Sequence, residues 1–304
     1  MTVNSPALPE TTGAHAPASA RTQRAPGRRS VIVRLAHHPT GATGAIIVCV
    51  MAFAGALAPL ITPQGPDVQN ASAVLQSPSW AHLFGTDELG RDVLSRVIYG
   101  AQNSVYIGVL AVALGSIAGI VTGMIAGYLG GSIDAVLSRF WDTFLAFPGI
   151  ILAILVVVVL GPGTTQVAYA VALVNAPEFF RIVRGSALEQ REREYVAATE
   201  VLGASRWRVL TRHLLPNSLG PILVQATLAM GFAIRLSAGL AFIGLGTQPP
   251  APSWGGMLQE SFNYLGAGWW LAVFPGVALA LFLIGLNFLA DGFHEILDPR
   301  RWHA

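Results

Sequence analysis

Apolar residues in this chain gather into long uncharged runs separated by short polar stretches, and that alternation governs the rest of the reading. The first run, GATGAIIVCVMAFAGALAPLI (41–61), is about twenty residues long, enough for a helix to cross a hydrocarbon core of ~30 Å. SVYIGVLAVALGSIAGIVTGMIAGYL (104–129) predicts a helix of ~39 Å at ~1.5 Å per residue, more than the core needs. TFLAFPGIILAILVVVVL (143–160) runs into Gly-Pro-Gly, a turn signal. TQVAYAVALVNAP (165–177) is shorter and weak on its own. SLGPILVQATLAMGFAIRLSAGLAFIGLG (218–246) and GWWLAVFPGVALALFLIGLNFLA (268–290) bring the expected crossings to six. The pattern predicts an all-α integral membrane protein.

The polar segments fill in the organisation. Residues 1–30 are rich in Pro, Ser, Thr and Ala, cannot bury enough surface to offset chain entropy, and predict a disordered tail. Residues 31–62 read as a retained first crossing with its lead-in. A cleaved signal peptide would need a far shorter basic n-region. Residues 63–103 form a loop on the far side, and 104–303 form the core. Within the loop, FGTDELGRDVLSRVIYG (84–100) predicts a helix capped by Thr86, with Asp87 and Glu88 in its first turn where the helix dipole favours anions. The acid spacing there does not fit a calcium loop. GTQPPAPSWGGML (246–258) reads as a Pro/Gly-stiffened connection.

One polar segment stands out. Residues 186–216 predict helix, break, helix between two greasy runs. Leu188, Tyr195, Ala198 and Leu202 recur at helical spacing as one apolar face. Gly203 breaks the first helix, Ser205 caps the second, Trp207, Leu210 and Leu214 share its apolar face, and Pro216 stops it. Such an amphipathic hairpin can lie on anionic lipid or be gripped by a soluble protein. Glu189, Glu192, Glu194 and Glu200 count against the lipid surface.

Charge then orients the chain. Only 11% of residues are charged, against roughly 25% in soluble domains, so the protein needs lipid as part of its solvent. Every basic residue is Arg. With the N-terminus in the cytoplasm, that side collects Arg21, Arg24, Arg28, Arg29, Arg34, Arg139, the seven arginines from Arg181 to Arg212, Arg300 and Arg301; the outside receives Arg91 and Arg96. That asymmetry requires 165–177 to cross, and it places both termini in the cytoplasm. A net charge of +2 gives no basis for a nucleic-acid partner. The single cysteine, Cys49, excludes an internal disulfide and reads as a small core residue. No metal-ligand cluster or catalytic constellation is visible.

Inside the runs, Gly115, Gly119, Gly123 and Gly127 fall on one helix face and predict close helix packing. Pro148, Pro177, Pro221 and Pro275 should kink or start helices. Arg235 is the one charge well inside a run, with Ser237 close by. It could line a translocation pathway and attract a carboxylate, pair with an acid on another subunit, or snorkel.

The hairpin resembles the cytoplasmic EAA loop of permease subunits in binding-protein-dependent ABC importers. Aligned on Gly203 and Leu215-Pro216 the spacing fits without a gap, with Ala197, Thr199 and His213 as departures. FGTDELGRDVLSRVIYGA, RIVRGSALEQREREYVAA, GASRWRVLTRHLLPNSLGPILV and FIGLGTQPPAPSWGGML extend the likeness to the dipeptide/oligopeptide branch and its "C"-type permeases, from about residue 30 to 303. Arg235 and Ser237 stand where an acidic residue is common in that family.

The resemblance implies a type I ABC importer permease fold in the bacterial inner membrane, pairing with a homologous second permease, two cytoplasmic ATPases and an extracytoplasmic peptide-binding protein. ATP and Mg would be bound by the ATPases, with no cofactor in this chain. The hairpin would dock on an ATPase through Tyr195, Ala198, Thr199, Leu202, Gly203, Ala204, Trp207 and Leu210, with Pro216 fixing its shape. The competing readings are a nickel or other metal-chelate importer permease, and a stand-alone channel or secondary transporter. The first should place imidazole or soft ligands in the crossings, and the second should show an internal repeat and buried acids.

Overall fold

The computed structural model describes Leu35 and residues 38–297. The tail over 1–30 and the arginines Arg300 and Arg301 lie outside the described residues. In chain order the helices are α1 (Pro39–Ala56), α2 (Ala58–Ile61), α3 (Val93–Leu129), α4 (Gly131–Leu145), α5 (Gly149–Leu160), α6 (Thr164–Arg191), α7 (Glu194–Val201), α8 (Arg206–Val209), α9 (Leu215–Phe242), α10 (Trp254–Ser261) and α11 (Trp270–Leu297). A π-helical turn over Leu210–Leu214 joins α8 to α9 without a break. Among the described residues there is no strand, only an isolated bridge between Thr86 and Asp92.

Among the described residues four helices are long and apolar enough to cross a membrane unaided: Pro39–Ala56, Val93–Leu129, Arg206–Phe242 and Trp270–Ile296. The run 143–160 is not one straight crossing. Pro148 caps α5, and α4 and α5 meet at 89°, so together they make at most a bent fifth span. The expected crossing at 165–177 forms the first half of α6, which does not qualify by hydropathy. The physical reason is its neighbourhood. Val167, Ala168, Ala170, Val171 and Ala172 are buried in one core with Ile107, Val157 and Leu240, so protein rather than lipid surrounds the helix and small residues suffice. Pro177, Pro221 and Pro275 all lie inside helices.

Close backbone approach organises the bundle. Gly115, Gly119, Gly123 and Gly127 are buried on the face of α3 that packs on α6. A Cβ at Gly119 would lie 2.5 Å from the Phe179 Cβ and 2.7 Å from the Ala176 carbonyl oxygen; one at Gly127 would lie 2.6 Å from the Ala187 Cβ. A second glycine seam, not singled out in the sequence, joins α1 to α11. There a Cβ at Gly44 would lie 2.4 Å from Leu289 N, and one at Gly292 would lie 2.5 Å from the Gly41 Cα. Because α1 buries this glycine face, Cys49 on its other side is exposed, not a core residue.

The segment over 63–103 differs from its expected form. Thr86 caps no helix: it is fully buried, its Oγ1 donating to Ala73 O and accepting from Gln76 N at 2.8 Å. Gly85 and Gly90 take left-handed φ of +75° and +72°, turning the chain so that the helix starts only at Val93. Asp92 is the cap. Its Oδ2 accepts from Ser95 N at 2.8 Å and Ser95 Oγ at 2.9 Å, and its Oδ1 contacts His82 Nδ1 at 3.1 Å. Asp87 instead closes the turn, accepting from Leu89 N, Arg91 N and Arg91 Nε. Two indoles pin this segment to the bundle, Trp254 Nε1 donating to Val97 O at 2.9 Å and Trp270 Nε1 to Thr86 O at 3.1 Å.

Candidate coupling surface

The hairpin begins about two turns later than the sequence suggests. α6 continues through Leu188 to Arg191 and the chain breaks at Glu192–Arg193, so Leu188 belongs to the long helix rather than to the hairpin's apolar face. α7 ends at Val201. Leu202 N donates to Ala198 O at 3.1 Å, and Gly203 takes φ +78°, the left-handed turn that reverses the chain. Ser205 Oγ accepts from Arg208 N at 3.4 Å and starts α8. Pro216 does not stop this helix: the chain passes through the π turn into α9, with Pro216 in the first turn of α9. Proline removes one ladder hydrogen bond and crowds the preceding turn, and the wider π turn just before it relieves that crowding.

The two sides of the hairpin divide sharply. Val196, Val209 and Leu214 are buried against Met124, Tyr128, Val183, Ala187 and Ile222, with Ala204, Leu210 and Leu215 packed at the edge. The opposite side carries Val201 and Leu202, each 87% exposed, and Trp207, 74% exposed, around the Gly203 bend. Trp207 therefore does not share a face with Leu214. The helical wheel misassigned it because the π turn shifts the register between them. Ala198, Gly203 and Pro216 are exposed and Thr199 is half-buried. Val201 was missed by sequence reasoning, although two consecutive bulky apolar residues before a glycine are a usable signal. Arg206, Arg208 and Arg212 ring this apolar knuckle and are exposed.

Tyr195 acts as a clasp. Its hydroxyl donates to Gln190 Oε1 at 2.6 Å and accepts from Asn217 Nδ2 at 3.1 Å, closing the base of the hairpin between α6 and α9. Arg193 pairs with Glu189 at 2.6 Å on the surface. Deeper, Arg184 grips Asp134 through Nε at 2.5 Å and Nη2 at 2.7 Å, tying α6 to α4. The hairpin is thus a preshaped body with a firm root and a bare apolar tip.

Arg235 and Ser237 do not come together. Arg235 is exposed and makes no ion pair among the described residues, and with Pro221, Leu228 and Phe242 it forms a seven-residue-spaced exposed stripe on α9. Ser237 points into the bundle, donates to Ile234 O at 3.0 Å, and lines a small void with Ser104. A guanidinium partway along a membrane-spanning helix is costly against lipid, so the stripe calls for water or protein. Among the described residues no group of three or more His, Cys, Asp or Glu is arranged to hold a metal ion.

Comparison with known proteins agrees with this architecture. The family described as "Binding-protein-dependent transport system inner membrane component" matches residues 119–303, and that described as "N-terminal TM domain of oligopeptide transport permease C" matches residues 28–78. The chain is 40% identical over 272 residues, covering 90% of each chain, to the dipeptide transport system permease protein DppC of Alkalihalophilus pseudofirmus. It is 39% identical to the probable D,D-dipeptide transport system permease protein DdpC of Escherichia coli K12, covering 86% of this chain and 88% of that one. It is 36% identical to the di/tripeptide transport system permease protein DppC of Pseudomonas aeruginosa, covering 88% and 91%. Its fold is similar to that seen in an inward-facing structure of the MetNI methionine ABC transporter, with a TM-score of 0.54 and 19% identity over 66% of this chain and 94% of that one.

Proposed function

The chain belongs to the family of inner membrane components of binding-protein-dependent transport systems, and from that premise we propose that it is a permease subunit importing dipeptides or oligopeptides. In this reading it forms half of a translocation pathway in the bacterial inner membrane, with both termini in the cytoplasm and a homologous permease as the other half. Two cytoplasmic ATPases bind ATP with Mg and hydrolyse it, while this chain carries no catalytic step. An extracytoplasmic protein delivers the peptide.

The observation that carries the proposal is the bare apolar tip of Val201, Leu202 and Trp207 around Gly203, presented on a hairpin whose other side is fully packed. Large exposed apolar side chains ringed by charge mark a protein-docking site. Seated in an ATPase groove, the hairpin converts ATPase closure into movement of α6 and α9, because its root runs unbroken into α9 and Tyr195 clasps it to α6. The cycle requires that ATP bind the closed ATPase arrangement more tightly than the open one. The three arginines around the tip set register and association rate more than affinity. Arg235, on the open stripe of α9, lines the pathway and attracts the peptide carboxylate.

Cysteine crosslinking tests the proposal. A cysteine at Leu202 should crosslink to the ATPase in the assembled complex, and proteoliposomes should accumulate dipeptide on ATP addition. No crosslink at any stage of turnover would overturn the docking assignment.

A further inference from the structure

The outer end of the bundle holds a cavity of about 220 Å³, roofed by the 247–253 connection and walled by α10 and the first turn of α3. Its polar lining is Arg96, Thr247, Gln248, Ser253, Gln259 and Glu260. Behind Arg96 and Glu260 stand Asp87, Glu88 and Arg91, so the cluster sets three carboxylates against two guanidinium groups.

The partners are unequally shared. Arg91 holds Asp87 at 2.5 Å and Glu88 at 2.8 Å, whereas Glu260 has only a 3.4 Å contact with Arg96 and a 3.6 Å contact with Arg91. Glu260 is also the most open of the three acids, with 31% of its side chain accessible. Burial pushes its carboxyl above the ordinary glutamate range, and the nearby arginines only partly offset this. The excess carboxylate therefore borders the cavity. Arg96, itself 2% exposed, enters the same wall; its buried Nε faces Asp87 Oδ2 at 3.5 Å, its Nη1 donates to Pro66 O at 3.4 Å and its Nη2 to Glu260 Oε2 at 3.4 Å, all at the long end of the hydrogen-bond range.

The cavity has room for several water molecules at ~30 Å³ each, too roomy for a bare ion and suited to one amino-acid residue. It also continues inward. Ala241, Thr247 and Ser253 line a second, smaller void that reaches Ser104 and Ser237. That second void, of about 10 Å³, holds no more than one water, so the larger cavity alone must receive a cargo residue. On a peptide, the α-ammonium and the first carbonyl oxygen are neighbours on one residue. Glu260 Oε2 and Arg96 Nη2, joined to each other only by a long 3.4 Å contact, set an anion and a donor side by side for that pair.

We infer that this cavity is a vestibule site for the first residue of the transported peptide, Glu260 receiving the ammonium and Arg96 the adjacent carbonyl oxygen. The inference rests on the peptide reading above. Glu260→Gln tests it, because the variant leaves two acids against two arginines and so brings the cluster into balance. The assay is uptake of labelled dialanine and its N-acetyl counterpart into proteoliposomes containing the whole complex, at equal loading of the binding protein, expressed per ATP hydrolysed.

For dialanine the ratio should fall roughly tenfold, the worth of one charged hydrogen bond, and for the acetylated cargo it should not change. Gln248→Ala, which alters no charge, should move dialanine in the same direction by less. Equal effects on both cargoes, or none on either, overturn the site. So does an unchanged ratio with a raised binding-protein requirement, which would assign the cavity to a cationic side chain of that protein. A wild-type complex that carries neither cargo fails the peptide reading itself, and that result is separable from any effect at Glu260.

Discussion

Replacing Gly203 isolates the backbone geometry of the hairpin from its contacts. Its φ of +78° lies in the left-handed region, and a Cβ added there meets nothing within 4 Å, so no clash inside the chain can contribute. The cost of substitution is conformational: about 1–2 kcal/mol for an ordinary side chain in this region, with a β-branched residue at the upper end or above. A stiffer unfolded chain returns part of this, about 0.4–1 kcal/mol. Asn tolerates the left-handed region best among residues with a side chain. At ~1.4 kcal/mol per factor of ten, the bent hairpin should be nearly as populated in Gly203→Asn as in wild type. It should drop a few-fold in Gly203→Ala and about tenfold or more in Gly203→Val. The assay is ATP-driven dipeptide uptake into proteoliposomes, with assembly checked by size-exclusion chromatography, since the residue lies outside the membrane-crossing helices. Transport should follow the order Gly, Asn, Ala, Val while assembly stays constant. Wild-type transport in Gly203→Val, or an Asn variant as poor as Val, would refute the reasoning, the latter by showing that bulk at an interface matters rather than φ.

Three further outcomes are expected. Gly119→Ala places a methyl 2.5 Å from the Phe179 Cβ and 2.7 Å from a backbone carbonyl, atoms that cannot rotate away, so α3 and α6 must separate at a cost of roughly 1–3 kcal/mol. Thermal unfolding of the purified subunit reads this, with Gly185→Ala, where a Cβ meets nothing within 4 Å, as the silent control. Arg235→Ala should leave assembly intact and lower peptide-stimulated ATPase activity by roughly tenfold; unchanged activity would remove Arg235 from the pathway. The raised carboxyl of Glu260 gives a pH signature. Between its ordinary value and its folded value, the folded state holds more proton than the unfolded one, so Glu260 stabilises less as pH rises through that window. The melting temperature of Glu260→Gln relative to wild type should therefore climb from about pH 4 upward and then level off; a flat difference contradicts the burial argument.

The legible part of the structure was the part that lipid and local chain chemistry dictate. Runs of twenty uncharged residues must become helices in a medium that offers the backbone no hydrogen bonds, so four of the six expected crossings could be read directly. Gly203 and Ser205 were readable for a similar reason, since a left-handed turn and an N-cap depend on single residues. The start of α3 was misplaced because Thr86 is chemically as able to cap a helix as Asp92, and only the turns at Gly85 and Gly90 decide between them. Trp207 was misplaced because a π turn is invisible in an ideal helical period.

By itself, then, the sequence determined that this is a helical membrane protein with a polar hairpin between two crossings, because hydropathy, charge asymmetry and turn residues act over short range. Only the tertiary structure decided which side of the hairpin is bare, that Tyr195 clasps its base, that Arg235 and Ser237 point apart, and that Arg96 meets Glu260 across more than 160 positions of chain. Those facts depend on how helices far apart in sequence pack together, and no local pattern encodes them.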